Sequence, residues 1–142
     1  DFLNRETIAG RNWDILCVLY ATAPLRNNED VKQVVSLIEP GKCDFALAVT
    51  QYDLPPHQAL IKENNSHVKP FLPDLVAARA DSIPELCVDN GSTYAVSIPA
   101  FKKYMAFYGP NMRAYQMPRN RSIDIDTQED FELVQYFAER IK

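Results

Sequence analysis

The run Ile15-Leu16-Cys17-Val18-Leu19-Tyr20 is almost continuously apolar, and a second apolar run, Phe45-Ala46-Leu47-Ala48-Val49, follows it along the chain. Strands that helices cover on both faces of a parallel sheet have this pattern, because neither face meets water. The two runs therefore predict two buried strands, and this pair decides the fold class.

The segment between these two strands has the pattern of a helix. Asn27 or Asn28 can cap its N-terminus, and Pro40 with Gly41 ends it after about Glu39. Its apolar side chains recur at the spacing of one helical face, at Val31, Val34, Val35 and Ile38. Strand, helix and strand in this order predict a βαβ unit with a right-handed crossover.

Residues 54–85 interrupt this pattern. They contain five prolines, two before and three after the polar run Glu63-Asn64-Asn65-Ser66. A proline-rich excursion of this length usually serves as a lid or a subunit contact, so we interpret it as a hairpin or arm that leaves the sheet. The alternative is a long surface loop.

The pattern of strands and helices resumes after residue 85. It predicts β-like pieces at residues 87–88 and 93–96, a helix over 99–107, an edge strand at 113–117 and a final helix over 127–142. Thr127 and Asp130 have the spacing of a capping box. The apolar residues of that helix share one face, at Phe131, Val134, Phe137 or Ala138, and Ile141. The whole pattern predicts an α/β fold with a mainly parallel, Rossmann-like sheet and a protruding arm.

The composition argues against two kinds of partner. The 142 residues carry a net charge of −4 and no basic run, whereas a nucleic-acid surface needs clustered Lys and Arg. No apolar stretch approaches the roughly 20 residues that a membrane helix requires. Cys17, Cys43 and Cys87 lack CxxC spacing and lie beside apolar residues. This predicts buried free thiols in a reducing compartment, and hence a cytoplasmic protein.

The most informative segment for function is Ser122-Ile123-Asp124-Ile125-Asp126-Thr127. Two aspartates separated by one residue in extended backbone project to the same face, while Ile123 and Ile125 point the other way, into the core. Two close carboxylates repel each other unless a cation lies between them. Mg²⁺ accepts one or two carboxylates together with water and phosphate oxygens. Asp124 and Asp126 are therefore a candidate magnesium site, and the alternative is that both only cap the final helix.

Three segments resemble the acylneuraminate cytidylyltransferases, which are the CMP-sialic acid synthetases and their relatives. The tail from Phe107-Tyr108-Gly109-Pro110 through the Asp124 and Asp126 segment resembles the C-terminus of that family. Asp89-Asn90-Gly91-Ser92-Thr93-Tyr94 is similar to its Asn-Gly-Ala-Ile-Tyr strand. Leu19-Tyr20-Ala21-Thr22-Ala23-Pro24-Leu25-Arg26 looks like its Leu-Gln-Pro-Thr-Ser-Pro-Leu-Arg turn. The three segments follow the family's order and approximate spacing, and the resemblance covers nearly the whole chain.

The resemblance implies a nucleotide-diphospho-sugar transferase-like fold and a reaction in which CTP activates a sugar. The anomeric hydroxyl of a nine-carbon acidic α-keto sugar attacks the α-phosphate of CTP, so that pyrophosphate leaves and a CMP-sugar forms. Mg²⁺ bridges the phosphates, while the protein positions the partners and neutralises charge. The family also implies a homodimer that forms through the arm at residues 54–85.

The resemblance also implies roles for individual residues. Asp124 and Asp126 would be the catalytic metal ligands, and Asn90 with Tyr94 would line the sugar pocket. The other substrate contacts would be the aromatic pair Phe107 and Tyr108, the fork of Arg79 on the sugar's carboxylate, and Thr22 with Arg26 on the turn. That turn lies at the carboxyl end of a strand, where open α/β sheets bind ligands.

Several of these residues have plainer interpretations. Phe107 and Tyr108 can be core residues at a helix end, and Arg79 can be a solvated surface charge. Arg26 can anchor its turn by bonding backbone carbonyl groups. The same side chains would then stabilise the fold without touching a substrate.

Two departures from the family leave alternatives open. Its Gly- and basic-residue-rich N-terminal loop, which cradles the CTP triphosphate, has no counterpart here, so we expect the chain to be a fragment of a longer enzyme. The alternative is a non-catalytic sugar- and metal-binding or dimerisation module. Residues 20–24 are closer to the branch that activates pseudaminic acid, whereas Asn90-Gly91 and residues 122–127 look more like the sialic or legionaminic acid branch. The sugar therefore stays open.

Overall fold

The computed structural model describes residues 2–140, with the backbone alone at Ala80. Ile141, which the sequence places on the apolar face of the final helix, lies outside the described residues. The chain divides into two structural units. We call Asp1–Thr50 together with Asp89–Lys142 the sheet unit, and Gln51–Val88 the arm unit.

The helices and strands alternate along the chain. In order they are α1 Phe2–Ile8, β1 Ile15–Leu19, α2 Asn28–Ser36, β2 Phe45–Gln51, β3 Leu60–Lys62, β4 Val68–Pro70, α3 Pro73–Val76, β5 Cys87–Ser97, α4 Ile98–Tyr104, β6 Met112–Gln116 and α5 Gln128–Ala138. Short 3-10 helices lie at Pro56–Gln58, Asn64–Ser66, Ala80–Ser82 and Arg119–Arg121.

The main sheet has four strands in the order β1-β5-β2-β6. β1 pairs antiparallel with β5, with Leu19 opposite Thr93, and β2 pairs parallel with β6, with Phe45 opposite Met112. The α/β class is confirmed, and the sheet is mixed. The two strands of the predicted βαβ unit are not neighbours, because β5 lies between them.

β5 differs most from its prediction. Residues 87–88 and 93–96 belong to one strand of 11 residues. The polar stretch between them is part of the same strand, and it is held by side-chain hydrogen bonds. Polar residues usually interrupt a strand pattern. Here Asn90 and Ser92 are buried and hydrogen-bonded, so the strand continues through them.

One cluster of the hydrophobic core lies between α2 and the sheet. Asn27 caps α2, which is one of the two caps that the sequence predicts, and Asp30 completes a capping box that the sequence analysis did not predict. Val34 and Ile38 then pack on small residues of the sheet and on a buried methionine, namely Ala46, Ala48, Ala95 and Met117. Small sheet residues let the helix approach closely, and this packing fixes α2 on its face of the sheet.

Both C-terminal helices are shorter than their predictions. α4 ends at Tyr104, because Met105 adopts the left-handed conformation (φ 50°) and caps it. Phe107 and Tyr108 consequently lie beyond the helix. The capping box of Thr127 and Asp130 is confirmed at α5. Among the described residues of its predicted apolar face, Val134 alone is buried, and Phe131 is exposed.

The arm unit contains the predicted hairpin. β3 and β4 pair antiparallel, with Leu60 opposite Pro70, and the turn between them includes two residues with positive φ, Asn65 and Ser66. The apolar side chains of this hairpin are largely exposed, at Leu60, Val68 and the adjoining Phe71. Its role in dimerisation stays a prediction.

The cysteines are free thiols, as the sequence predicts. Cys43 is buried and Cys17 is half-buried, but Cys87 is exposed. The prediction that all three are buried is therefore wrong for Cys87. It lies at the first position of β5, where the strand is still exposed to solvent.

A buried ion pair connects α2 to the segment that carries the two candidate aspartates. Asp30 is fully buried and accepts hydrogen bonds from Arg121 Nε (3.1 Å) and Nη2 (2.6 Å). Tyr115 Oη (3.3 Å) and the backbone N–H of Asn27 (2.9 Å) complete its shell. Burial raises the pKa of Asp30, but the hydrogen bonds from Arg121 and Asn27 outweigh it and hold the pKa below its ordinary value.

We expect Asp30→Ala to lower the free energy of unfolding by about 3 kcal/mol, because it leaves the Arg121 guanidinium without its buried partner. Urea unfolding followed by circular dichroism measures the loss. Glu39→Ala is the matched control, because Glu39 also pairs with an arginine, Arg113, but both side chains are about half exposed. That control should lose less than about 1 kcal/mol. Equal losses in the two variants would contradict the assigned importance of the buried pair.

The same pair predicts the direction of acid sensitivity. A carboxylate whose pKa falls on folding stabilises the protein above its ordinary pKa, about 3.9 for aspartate, and loses this contribution as the pH falls through the lower folded value. The difference in stability between the wild type and Asp30→Asn should therefore be full near pH 6 and shrink below about pH 4. A difference that stays constant down to pH 2 would exclude this linkage.

Candidate functional site

The three segments that carry the family resemblance meet in the sheet unit. The backbone N–H of Ile125 donates to the carbonyl oxygen of Thr22 at 2.9 Å, which ties the aspartate segment to the turn after β1. The turn is tied in addition to β5, because the N–H of Tyr20 donates to Ser92 O at 3.1 Å. The turn, the middle of β5 and the aspartate segment therefore lie next to one another.

Gly91 lies at a close contact between β5 and the aspartate segment. Its φ of +64° is in the left-handed region, and a Cβ at this position would lie 2.3 Å from Asp124 Oδ2 and 2.8 Å from Asp124 Cγ. Only glycine allows both the bend and the close approach. The Asp124 carboxylate thus lies directly over the Cα of Gly91.

Asp124 has an oxygen whose bonding potential is unused. Its Oδ1 is buried and has no hydrogen-bond partner among the described residues. A buried carboxylate oxygen without a donor is costly, and it commonly marks a ligand, ion or water site. This feature fits the predicted role of Asp124 as a cation ligand.

Asp126 has a different environment. Its side chain is exposed, and its backbone N–H donates to Asp130 Oδ2 at 3.2 Å. The final helix is capped by the Thr127 and Asp130 side chains, so the alternative in which Asp124 and Asp126 serve as the caps is wrong. Residues 122–126 lie outside the sheet strands, and Ile123 and Ile125 are half-buried rather than fully in the core.

Asn90 joins β5 to the same segment from the buried side. Its Nδ2 donates to Ser122 Oγ at 3.0 Å and approaches Met117 Sδ at 3.3 Å, and its Oδ1 accepts from the N–H of Ser92 at 3.2 Å. The amide group is therefore engaged within the protein. Its predicted contact with a sugar is not tested by this geometry and stays a prediction.

Arg26 makes the carbonyl contacts of the plainer interpretation. Its Nη1 donates to the carbonyl oxygens of Tyr20 (2.5 Å) and Ala23 (2.8 Å) and lies 3.4 Å from that of Ser92. These contacts hold the turn in place beside β5. A substrate contact of Arg26 or Thr22 stays a prediction.

A second acidic residue, Asp89, lies two residues before Gly91 in the sequence. Its carboxylate accepts a hydrogen bond from Tyr94 Oη, at 2.9 Å to Oδ1 and 2.8 Å to Oδ2, and another from Tyr108 Oη. It also accepts the N–H of Gly91 at 3.0 Å. Burial, followed by the hydrogen bond to Asp89, raises the pKa of both Tyr94 and Tyr108.

The aromatic residues form a cluster around Tyr94. Its ring centroid lies 5.2 Å from that of Tyr20, 6.2 Å from Phe107 and 6.3 Å from Tyr108. Phe107 also packs on Phe101 at 5.5 Å and lines the core, as its plainer interpretation states. Tyr94 is 7% exposed and Tyr108 is 50% exposed, so Tyr108 presents the accessible side of this cluster.

Arg79 belongs to the arm unit. Its guanidinium forms a two-pronged ion pair with Asp81, at 3.1 Å and 3.0 Å, and its side chain is mostly exposed. Within its own unit it therefore behaves as the solvated surface charge of the plainer interpretation. Its predicted contact with a sugar carboxylate is not tested.

The sequence interpretation missed the roles of Asp89 and Gly91. A signal for both was present, because Asp and Asn side chains commonly accept the backbone N–H two residues further on. Asp89 and Asn90 in succession make such bonds to Gly91 and Ser92. An isolated glycine within a strand pattern also indicates a bend or a close approach.

The described residues contain no all-protein metal site. No three His, Cys, Asp or Glu side chains in that part of the chain are grouped closely enough to hold an ion. Mg²⁺ does not need such a group, because it usually takes one or two carboxylates and completes its shell with water and phosphate. The two aspartates are compatible with that mode of binding.

The raised pKa values of Tyr94 and Tyr108 predict an alkaline titration. Both phenols should stay protonated above pH 10, the ordinary value for tyrosine, and the stability that depends on them should decline as the pH rises through their folded values. The absorbance at 295 nm should distinguish the wild type from the Tyr94→Phe/Tyr108→Phe variant only above about pH 10. If the two proteins already show their full difference in absorbance at pH 10 while still folded, the assigned hydrogen bonds are contradicted.

Within residues 2–140, none of the helices has the length and apolar character that a membrane span needs.

No protein-family model matches the chain. Curated proteins similar to it include two named pseudaminic acid cytidylyltransferase, from Campylobacter jejuni subsp. jejuni serotype O:23/36 (strain 81-176) and serotype O:2 (strain ATCC 700819 / NCTC 11168). Each is 29% identical over 120 residues, which make up 84% of this chain and 52% of the relative.

The chain therefore spans about half the length of these relatives. Their names agree with the family that the turn, the β5 segment and the aspartate segment resemble. The resemblance to the acylneuraminate cytidylyltransferases is confirmed by homologues that are named pseudaminic acid cytidylyltransferase.

Proposed function

We propose that the protein takes part in cytidylyl transfer, in which CMP passes from CTP to a nine-carbon acidic α-keto sugar and pyrophosphate is released. The observation that carries the proposal is the convergence of the three segments on Gly91. They meet through the Ile125 to Thr22 hydrogen bond and the packing of Asp124 on Gly91. The names of the two relatives support the same reaction class.

In this proposal Asp124 and Asp126 hold Mg²⁺. The ion would neutralise phosphate charge as pyrophosphate leaves. The unpartnered, buried Oδ1 of Asp124 supports this role, since a cation would satisfy it. The exposed Asp126 lies two residues further on, immediately before Thr127, the N-cap of α5.

The remaining residues would position the sugar and the nucleotide. Tyr94, Phe107 and Tyr108 form the aromatic wall against which a sugar ring would pack. Asn90, whose amide bonds Ser122, would also line the sugar pocket. Thr22 and Arg26 lie on the turn at the end of β1, and Arg79 would bind the sugar's carboxylate. Pseudaminic acid is the first sugar to test, because residues 20–24 and the names of the relatives both favour it.

We also propose that the protein forms a homodimer through residues 54–85. The exposed apolar side chains of the hairpin, Leu60, Val68 and Phe71, support this role. The three free thiols are those expected of a protein in a reducing compartment, and the proposed location is the cytoplasm.

The reaction is tested by Mg²⁺-dependent pyrophosphate release from CTP, with the protein expressed from its native N-terminus. The sugar panel contains pseudaminic, legionaminic and N-acetylneuraminic acids. We expect release with one of them, and a loss of at least about 100-fold in Asp126→Ala, because a metal ligand contributes several kcal/mol of charge stabilisation. The exposed Asp14→Ala is the control and should keep full activity. A folded protein that releases no pyrophosphate with any sugar would leave the binding or dimerisation module as the better interpretation.

The position of Asp124 is tested by Gly91→Ala. The new Cβ would displace the Asp124 carboxylate, so we expect Mn²⁺ affinity, measured by paramagnetic broadening, to fall about tenfold in the presence of CTP. Gly10→Ala is a matched control, because Gly10 also has a positive φ (+75°) but no atom lies within 4 Å of its added Cβ. Both variants bear a backbone strain of roughly 1–2 kcal/mol. If both lose the same Mn²⁺ affinity, the close approach of Asp124 is not what matters.

A further inference from the structure

Asp89 is surrounded by hydrogen-bond donors, and two of them are phenols. Tyr94 Oη bridges both of its carboxylate oxygens, at 2.9 Å and 2.8 Å, while Tyr108 Oη binds Oδ2. The backbone N–H of Gly91 binds Oδ1 at 3.0 Å. The carboxylate thus connects the bend of β5 to the segment beyond α4.

The chemistry of these groups fixes the direction of each hydrogen bond. A carboxylate accepts hydrogen bonds and donates none, whereas a phenol has a single hydrogen to donate. Tyr94 and Tyr108 must therefore both direct their hydrogens at Asp89. Each phenol oxygen is then left with its lone pairs, which can only accept hydrogen bonds.

We propose that Asp89 is a positioning and specificity-determining residue, which fixes both phenol oxygens as acceptors so that this wall of the site selects ligand groups that donate hydrogen bonds. In an acidic amino sugar those groups are hydroxyls and acylamino N–H groups. The identity of the ligand rests on the proposed function, but the assignment of hydrogen-bond direction rests on the contacts of Asp89 alone.

The charge of Asp89 adds a constraint on orientation. A sugar carboxylate close to Tyr108 would face lone pairs on the phenol and a negative charge behind it, and both are repulsive. The sugar must therefore bind with its carboxylate directed away from this wall. Because Tyr108 is the more exposed of the two phenols, its oxygen is the main contact point, and Tyr94 supports it from the buried side.

Asp89→Asn tests the proposal with almost no change in shape. The Asn oxygen can still accept the N–H of Gly91, but its NH₂ group needs an acceptor, and a phenol oxygen is the available one. One phenol would then direct its hydrogen outward. We expect the KM for the sugar to rise about tenfold, the value for one lost hydrogen bond. The KM for CTP should stay within about twofold, and kcat should change less than the sugar KM.

A second readout reports on the phenols without any turnover. In Asp89→Asn, Tyr94 and Tyr108 lose an anionic acceptor, so their ionisation at 295 nm should begin at lower pH than in the wild type. Asp14→Asn is the matched control, because it is the same change at an exposed position. It should alter neither the titration nor the sugar KM. A residue that only stabilised the fold would change kcat, both KM values and the unfolding curve together.

The outcomes separate this inference from the proposed function. An earlier phenol titration with a selectively raised sugar KM supports the inference. An unchanged titration, or a changed titration with an unchanged sugar KM, overturns it. If the wild type turns over no sugar, the proposed function fails. The dissociation constants of the same three sugars, measured by saturation-transfer NMR, then replace the KM values, and equal affinity in the wild type and Asp89→Asn would overturn the inference too.

Discussion

The close approach of Asp124 to Gly91 is the constraint on which the arrangement of the site depends. A side chain at position 91 would occupy the place of the carboxylate, and the left-handed bend there is open to glycine at little cost. The bend also sets the directions of Asp89 and Asn90 immediately before it. Asp89 bonds Tyr94 and Tyr108 of the aromatic cluster, and Asn90 bonds Ser122, so a single backbone conformation distributes two polar side chains among three neighbours.

The aspartate segment is held from a second direction by the buried ion pair of Asp30 and Arg121. Asp30 starts α2 through its capping box, and Arg121 immediately precedes Ser122, the partner of Asn90. Burying two charges is costly unless each finds hydrogen bonds, and Asp30 has four donors from three other residues. The segment outside the sheet is therefore fixed by packing on β5 and by a charged contact with α2, and it does not need a strand of its own.

The sequence predicts the elements of the sheet unit well, because β1, α2 and β2 have strong local signals and α2 and α5 have capping boxes that act within one turn. It does not predict the strand order. Whether β5 lies beside β1 or beyond β2 depends on contacts between residues far apart in the chain, and the polar stretch 89–92 obscures the strand itself. In the site, the pattern of Asp124 and Asp126 is visible in the sequence. The unequal burial of the two aspartates is not visible there, because it arises from tertiary contacts such as that of Asp124 with Gly91. The sequence offers the anchoring role of Arg26 only as one of two alternatives, and the carbonyl contacts with Tyr20 and Ala23 appear only in the folded structure.

Two carboxylates contact the Gly91 bend, and the fold treats them in opposite ways. Asp89 receives two phenol hydrogens and a backbone N–H, which together satisfy its negative charge without a cation. Asp124 has a buried oxygen to which no described residue donates. A cation brought to the bend would therefore gain most from Asp124, because the lone pairs of Asp89 are already engaged. The two carboxylates differ in the hydrogen-bond donors around them more than in their position in the sequence. These donors make Asp89 an acid that shapes the aromatic wall and leave Asp124 available to a metal.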